Sequence, residues 1–180
     1  MILRRFQRSS HDSTIRALYG TIVAQARSAT FYTDFGVPDT VAGRFDLIVL
    51  HLVLLLRRLG RETHAGRNLG QDLFDEFCRD LDANLREMGV GDLAVPKKMQ
   101  RFAEAFYGRQ AAYLAALAAV DERDFEMALA RNIFQAGIDA GAARLAGYAR
   151  AASRGLDAQE DASLLRGEVV FPSPEAFIHA

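Results

Sequence analysis

An unbroken apolar run, Leu47-Ile48-Val49-Leu50-His51-Leu52-Val53-Leu54-Leu55-Leu56, closes on Arg57-Arg58 and sets the terms for everything around it. Its ten residues are about half of the roughly 20 needed to cross a bilayer, and a histidine interrupts it. A helix apolar on every side persists in water only when neighbours cover it all round, so this segment reads as the central helix of a core. The 180-residue chain can supply those neighbours: half its residues are hydrophobic and a quarter are charged. A chain of this size buries roughly 70% of the surface its unfolded form exposes.

The covering elements are expected to be helices, because the period-two alternation of strands is almost absent. The first helix is predicted from Asp12 or Ser13 to about Ser28, with Ile15, Leu18, Tyr19, Ile22, Val23 and Ala26 as its buried stripe. Ala29 to Val37 forms an aromatic-rich connection. Pro38-Asp39-Thr40 starts the central helix, with Asp39 or Thr40 as its cap, and Gly60 ends it. Arg61 to Gly70 reads as a loop. A third helix follows from Gln71 to Met88, and Gly89-Val90-Gly91-Asp92 stops it. The fourth opens at Pro96 and uses Met99, Phe102, Ala103, Phe106, Tyr113, Leu114 and Leu117. A fifth runs from about Glu122 to Phe134 and a sixth from about Asp139 to Ala152, through Ala142, Leu145 and Ala149. The predicted fold class is all-α: a compact bundle of about six helices in one domain over 1–180, with a core at about 12–155. A short extended tail at about 156–180, Gly167 to Pro174 above all, packs back on the body.

Little in the chain suggests covalent chemistry. Cys78 is the single cysteine, which excludes an internal disulfide and a cysteine-cluster metal site, and its neighbours make it a small buried hydrophobe. His11 and His179 lie at the termini and His64 in a polar stretch. His51 alone interrupts an apolar helix, either as a core histidine held by a hydrogen bond or as a ligand. Asp72, Asp75, Glu76, Asp80 and Asp82 recur on the third helix, as carboxylates do in helical di-iron proteins. The Glu-x-x-His motifs of those sites are missing, so a solvated acidic face is the better reading. No H-E-x-x-H pair, G-x-S-x-G elbow, phosphate loop or dinucleotide fingerprint occurs. No catalytic, cofactor-binding or metal-ligating residue is assigned. A net charge of -1, from 22 basic and 23 acidic side chains, argues against a DNA-binding protein.

Two stretches carry a more specific pattern. One is Tyr19-Gly20 and Gln25-Ala26-Arg27, then Phe31-Tyr32, then Val37-Pro38-Asp39-Thr40 with Gly43-Arg44-Phe45-Asp46, leading to His51. The other is Leu73-Phe74-Asp75, Asp80, Asp82 and Leu85-Arg86-Glu87-Met88-Gly89-Val90-Gly91-Asp92-Leu93, continuing through Pro96-Lys97-Lys98-Met99 to Ala105-Phe106-Tyr107-Gly108-Arg109. Together they resemble the ubiquinol–cytochrome c chaperone family over roughly residues 12–120, with a weaker echo at Phe171-Pro172. The resemblance implies a non-enzymatic helical protein without a cofactor. It would engage newly made cytochrome b and promote assembly of ubiquinol–cytochrome c reductase, respiratory complex III. The mitochondrial members work with a small partner protein and contact the ribosome; neither partner is carried over. With neither a transit peptide nor a signal-peptide apolar stretch read at its amino terminus, the chain is similar to the bacterial members, and the resemblance implies an expected place in the cytoplasm, peripherally at the cytoplasmic face of the inner membrane.

A chaperone of that kind needs an apolar surface for its client. The first candidate is Phe31, Tyr32, Phe35, Val37 and Pro38. Three aromatics in five positions outside a regular helix need either a core to enter or a partner to meet, and Tyr32 is the one expected at the surface. Arg27 and Arg44, paired with Asp34, Asp39 and Asp46, would fix this corner. The second candidate is Lys97, Lys98 and Arg101, containing the only two lysines of the chain. Positive charge at a helix amino terminus opposes the helix dipole, so the cluster is either an ordinary solvated face or one that meets an acidic client loop, ribosomal RNA or anionic lipid. Arg109 is expected to pin neighbouring helices. Two other readings fit the same residues: a helical metalloprotein or enzyme centred on His51 and the third-helix carboxylates, and a peripheral ribosome- or membrane-binding module.

Overall fold

The apolar run does become the hub. In the computed structural model, which describes residues 2–61, 63–135 and 140–179 with side chains from residue 11 onward, helix α3 (Val41–Leu59) buries twelve of its nineteen residues. Leu47, Val49, Leu50, Leu52, Val53, Leu54 and Leu55 have no solvent exposure. Around α3 pack α1 (Ile2–Ala26), α4 (His64–Glu87), α5 (Val95–Ala118), α7 (Ala140–Asp157) and the π-helical turn Ala130–Phe134 that extends α6 (Arg123–Leu129). Every described regular element is helical. The two short helices are α2 (Thr30–Thr33) and α8 (Asp161–Leu165), and a 3-10 turn spans Pro174–Phe177.

Several boundaries differ from the sequence reading, each for a local reason. Helix α1 begins at Ile2 rather than at Asp12 or Ser13, since an arginine-rich segment propagates a helix as readily as a capped one. Its predicted buried stripe is present, with Ile15, Leu18, Ile22 and Ala26 in the core. The aromatic connection contains one helical turn, α2. Thr40 caps α3: its Oγ1 accepts from the Gly43 amide at 3.1 Å. Asp39, the other candidate cap, turns to Arg44 at 2.7 Å.

The largest difference is Arg61 to Gly70, expected as a loop. Thr63 repeats the cap of Thr40, accepting from the Gly66 amide at 2.9 Å, and α4 starts at His64. The glycines that suggested a break serve close approach instead. A Cβ on Gly66 would lie 2.5 Å from the Leu59 carbonyl oxygen, and one on Gly70 would touch Leu56 and Leu59. The predicted fifth helix is α6 plus the π-helical turn, ended by Gln135 in a left-handed conformation (φ 53°). The predicted start of the sixth at Asp139 lies outside the described residues; α7 runs on to Asp157, and Ala142, Ala146, Ala149 and Ala152 let it lie close to its neighbours. The tail folds back as expected, burying Val169 and Phe171, but it is extended only in part, since α8 and the 3-10 turn Pro174–Phe177 lie within it.

The α2–α3 corner leaves no room at position 43, where a Cβ would meet the Pro38 carbonyl oxygen at 2.0 Å. Gly43→Ala is therefore expected to destabilise the protein by roughly 1–3 kcal/mol, as overpacking does. Urea or thermal melts measure this, and an unchanged midpoint would show that the corner yields freely.

Candidate functional site

Most of the residues singled out above are buried or bound to one another, and two features of the described surface are open to a partner. Phe31, Phe35 and Val37 are between 0% and 2% exposed, which corrects the expectation that they belong to a client surface. Phe31 and Phe35 enter the core by packing on Tyr148 of α7. The Phe31 ring meets that of Tyr148 edge-on at a centroid distance of 4.9 Å and that of Phe35 at 5.5 Å. Tyr32 is half-buried. Its hydroxyl donates to the Ala26 carbonyl at 2.6 Å, and the Arg44 guanidinium lies 5.4 Å above its ring, so it holds the corner in place. Pro38 remains exposed. Of the ion pairs expected here only Asp39–Arg44 forms; Arg27 has no ion-pair partner within 4 Å among the described residues.

Beneath that corner a chain of hydrogen bonds runs through the core. His51 donates from Nδ1 to the Leu47 carbonyl at 2.7 Å, which leaves Nε2 to accept from the Tyr148 hydroxyl at 2.7 Å. That hydroxyl accepts from Gln25 Nε2 at 3.0 Å, and the same amide donates to the Pro172 carbonyl at 3.0 Å. Residues from α1, α3, α7 and the tail thus converge on one imidazole, with the Phe171 ring 5.1 Å from it. Complete burial disfavours the imidazolium and pulls the His51 pKa down to about 4. Both nitrogens are engaged and the ring is neutral, an arrangement that fastens helices together.

A second buried link joins α3 to α5. Asp46 and Arg109 pair at 2.8 Å, so Arg109 does pin neighbouring helices, and Asp46 is not part of the Arg27–Arg44 corner. Burial outweighs the pull of the guanidinium and raises the Asp46 pKa to about 6. The carboxylates of α4 are not merely solvated. Asp72 reaches His11 at 2.8 Å and Asp80 accepts from the Tyr19 hydroxyl at 2.8 Å, both across to α1. Asp75 accepts from Gln71, Asp82 pairs with Arg86, and Glu76 pairs with Arg79. No group of three or more His, Cys, Asp or Glu among the described residues is placed to hold a metal ion. Cys78 is half-buried, and burial raises its thiol pKa.

The first open feature escaped the sequence reading. Where the end of α3 meets α4 and α5, a groove of about 190 Å³ is lined by Leu56, Gly60, Arg67, Gly70, Gln71, Phe74, Phe106, Tyr107 and Gln110. Its aromatic floor is continuous: Phe74 lies 4.7 Å from Phe106 and 5.9 Å from Tyr107, centroid to centroid. Tyr107 is 56% exposed, and Arg67 and Gln71 form a polar rim. The volume falls below the ~300–1,000 Å³ of small-molecule sites and suits a few side chains of a protein partner. The signal in the sequence was the pair Phe74 and Phe106-Tyr107 on neighbouring helices. It read as core because periodicity cannot tell a stripe that is covered from one that lies at the lip of a cleft. The second open feature is the α4–α5 turn, where Lys97, Lys98 and Arg101 are all exposed beside Leu93.

Residues 33–171 match the ubiquinol–cytochrome c chaperone family, and the chain belongs to it. The match begins later than the resemblance seen in the sequence and reaches well past residue 120, into the tail as far as residue 171. The chain is 38% identical to the Cbp3 homologue of Brucella abortus, whose crystal structure superimposes with a TM-score of 0.87 over 97% of this chain and 98% of that one. It is also similar to ubiquinol–cytochrome-c reductase complex assembly factor 1 of Xenopus laevis, at 26% identity over 157 residues, 86% of this chain and 78% of the frog protein. The Drosophila melanogaster protein of the same name is 28% identical over 151 residues, 80% of this chain and 58% of the fly protein. Among the described residues no helix is long and apolar enough to cross a membrane.

Two of the buried titratable groups, His51 and Asp46, give opposed pH dependences. His51 stays neutral when folded, so the unfolded chain takes up the extra proton below its ordinary pKa of about 6.5, and stability falls between there and about pH 4. The size of that loss is roughly 3 kcal/mol. Asp46 acts the other way: its raised pKa gives stability present in acid and lost as pH rises towards about 6. Asp46→Asn removes that counter-slope. Unfolding free energies from urea titrations between about pH 6 and about pH 4 are expected to fall more steeply in the variant, by up to about 1.4 kcal/mol per pH unit. Parallel profiles would mean that Asp46 does not titrate in this range.

Proposed function

We propose that this protein is an assembly chaperone of ubiquinol–cytochrome c reductase that holds newly made cytochrome b at the cytoplasmic face of the inner membrane. Membership of the family and the names of the frog and fly relatives support the role in assembling that complex. Physical chemistry favours cytochrome b as the client, because a membrane subunit is the component whose apolar segments need cover until it is in place.

The groove between α3, α4 and α5 carries the reading of where the client sits. Phe74, Phe106 and Tyr107 offer an aromatic floor without a small-molecule-sized cavity, and Arg67 offers an unpaired cation at the rim, with no ion pair within 4 Å among the described residues. Apolar anchors from an extended or helical segment would enter the floor, and an acidic or carbonyl group beside them would meet Arg67. Of the residues first expected to meet the client, the buried Phe31, Phe35 and Val37 are set aside, while Tyr32 and Pro38 flank a different face.

Tyr107→Glu combined with Arg67→Glu changes two exposed side chains and is expected to leave the melting temperature within a few degrees of the parent. Cytochrome b and assembled complex III should fall several-fold in cells carrying it. A photo-crosslinker at position 107 should capture cytochrome b. Normal complex III with full-length variant protein present, and no cytochrome b captured, would remove the groove as the client seat.

A further inference from the structure

The turn joining α4 to α5 brings exposed apolar side chains and exposed cations together. Leu93 is 99% exposed and Met88 70% exposed, on a connection shaped by Gly89 (φ 82°) and anchored from below by the buried Leu85 and Val95. Lys97, Lys98 and Arg101 stand exposed on the adjoining turns of α5, and none has an ion-pair partner within 4 Å among the described residues. Arg44, Arg57, Arg58, Arg61, Arg79, Arg86, Arg109 and Arg166 pair with carboxylates, whereas Arg27 and Arg67, like these three, have no ion-pair partner within 4 Å among the described residues. Residues 86–101 hold four cations against two carboxylates in a chain whose net charge is -1. One of those carboxylates, Asp92, is spent on Arg86.

We propose that this corner is a docking surface for an anionic lipid bilayer, with Leu93 and Met88 entering the headgroup boundary and Lys97, Lys98 and Arg101 meeting lipid phosphates. Three features favour lipid over nucleic acid or an acidic protein segment. The projecting side chains are aliphatic, which a hydrocarbon boundary rewards and a stacked base does not. Two of the three cations are the only lysines of the chain, beside Arg101, and an ammonium on a long flexible stem adapts to a fluid surface where a planar fork would seek a fixed bidentate partner. Leu93 stands on a turn, so it can enter an interface without unfolding a helix. The inference deepens the reading above by naming the face turned to the membrane, and its test needs no client, so its failure leaves the groove untouched.

The purified full-length chain is floated with phosphatidylcholine vesicles, with and without phosphatidylglycerol. Binding is expected only with the anionic lipid, and it should weaken as salt is added. Each lysine near an anionic surface is worth a factor of about five, so Lys97→Gln with Lys98→Gln should lower vesicle affinity about 25-fold. Leu93→Ser should weaken binding while leaving its salt dependence. Equal binding to neutral vesicles, or lysine variants that bind anionic vesicles like the parent, overturns the proposal. So does a lysine effect confined to polyuridylate or to an acidic peptide.

Discussion

The covering of α3 is the constraint from which the rest of the structure follows. A helix with leucine or valine on every side cannot face water anywhere along its middle, so five other elements must reach it. One polar side chain sits in that middle, and it is the point at which the covering elements are indexed. His51 offers one donor and one acceptor, both used, and the bonds run on to α7, α1 and the tail. A leucine at position 51 would fit the apolar pattern but would not specify which residue of α7 lies opposite. Apolar packing supplies the attraction, and the hydrogen-bond chain supplies the register.

What the sequence showed, and what it hid, divides along the same line. The helical class, the central helix, the Thr40 cap, the stripe of α1 and the returning tail could all be read from period and turn chemistry. Gly66 and Gly70 misled because a glycine that relaxes the backbone and one that admits a neighbour look alike until the neighbour is known. The partner of Asp46 was hidden for a related reason: Arg109 lies two helices further along the chain, whereas Arg44 is close by and charged. The aromatics of the 31–37 corner had two stated fates, and the ring of Tyr148, more than a hundred residues away, decided for the core.

The open groove was the least legible part of the candidate site. Phe74, Phe106 and Tyr107 have the spacing of any core stripe, and only the arrangement of three helices shows that their common edge is uncovered. The cationic corner was legible in charge but not in shape, since nothing in the pattern around Leu93 says that its side chain lies in the open. Both features are properties of gaps between elements, and local sequence describes the elements.

Arginines at the end of α3 carry a further consequence. Arg57 and Arg58 donate to the Ser153, Leu156 and Gln159 carbonyls at the end of α7, and Arg57, Arg58 and Arg61 also reach Asp157 or Asp161. Because His51 faces Tyr148 and Arg57 faces Ser153, the two helices run in the same direction, with their negative ends side by side and the guanidinium groups between them. Neighbours that run the same way cannot be joined by a tight hairpin; the chain has to travel out through α4, α5 and α6 before it returns. During synthesis the greasiest helix of this protein therefore emerges after α1 but long before the rest of its cover, and for that interval it is itself an apolar segment in need of shelter.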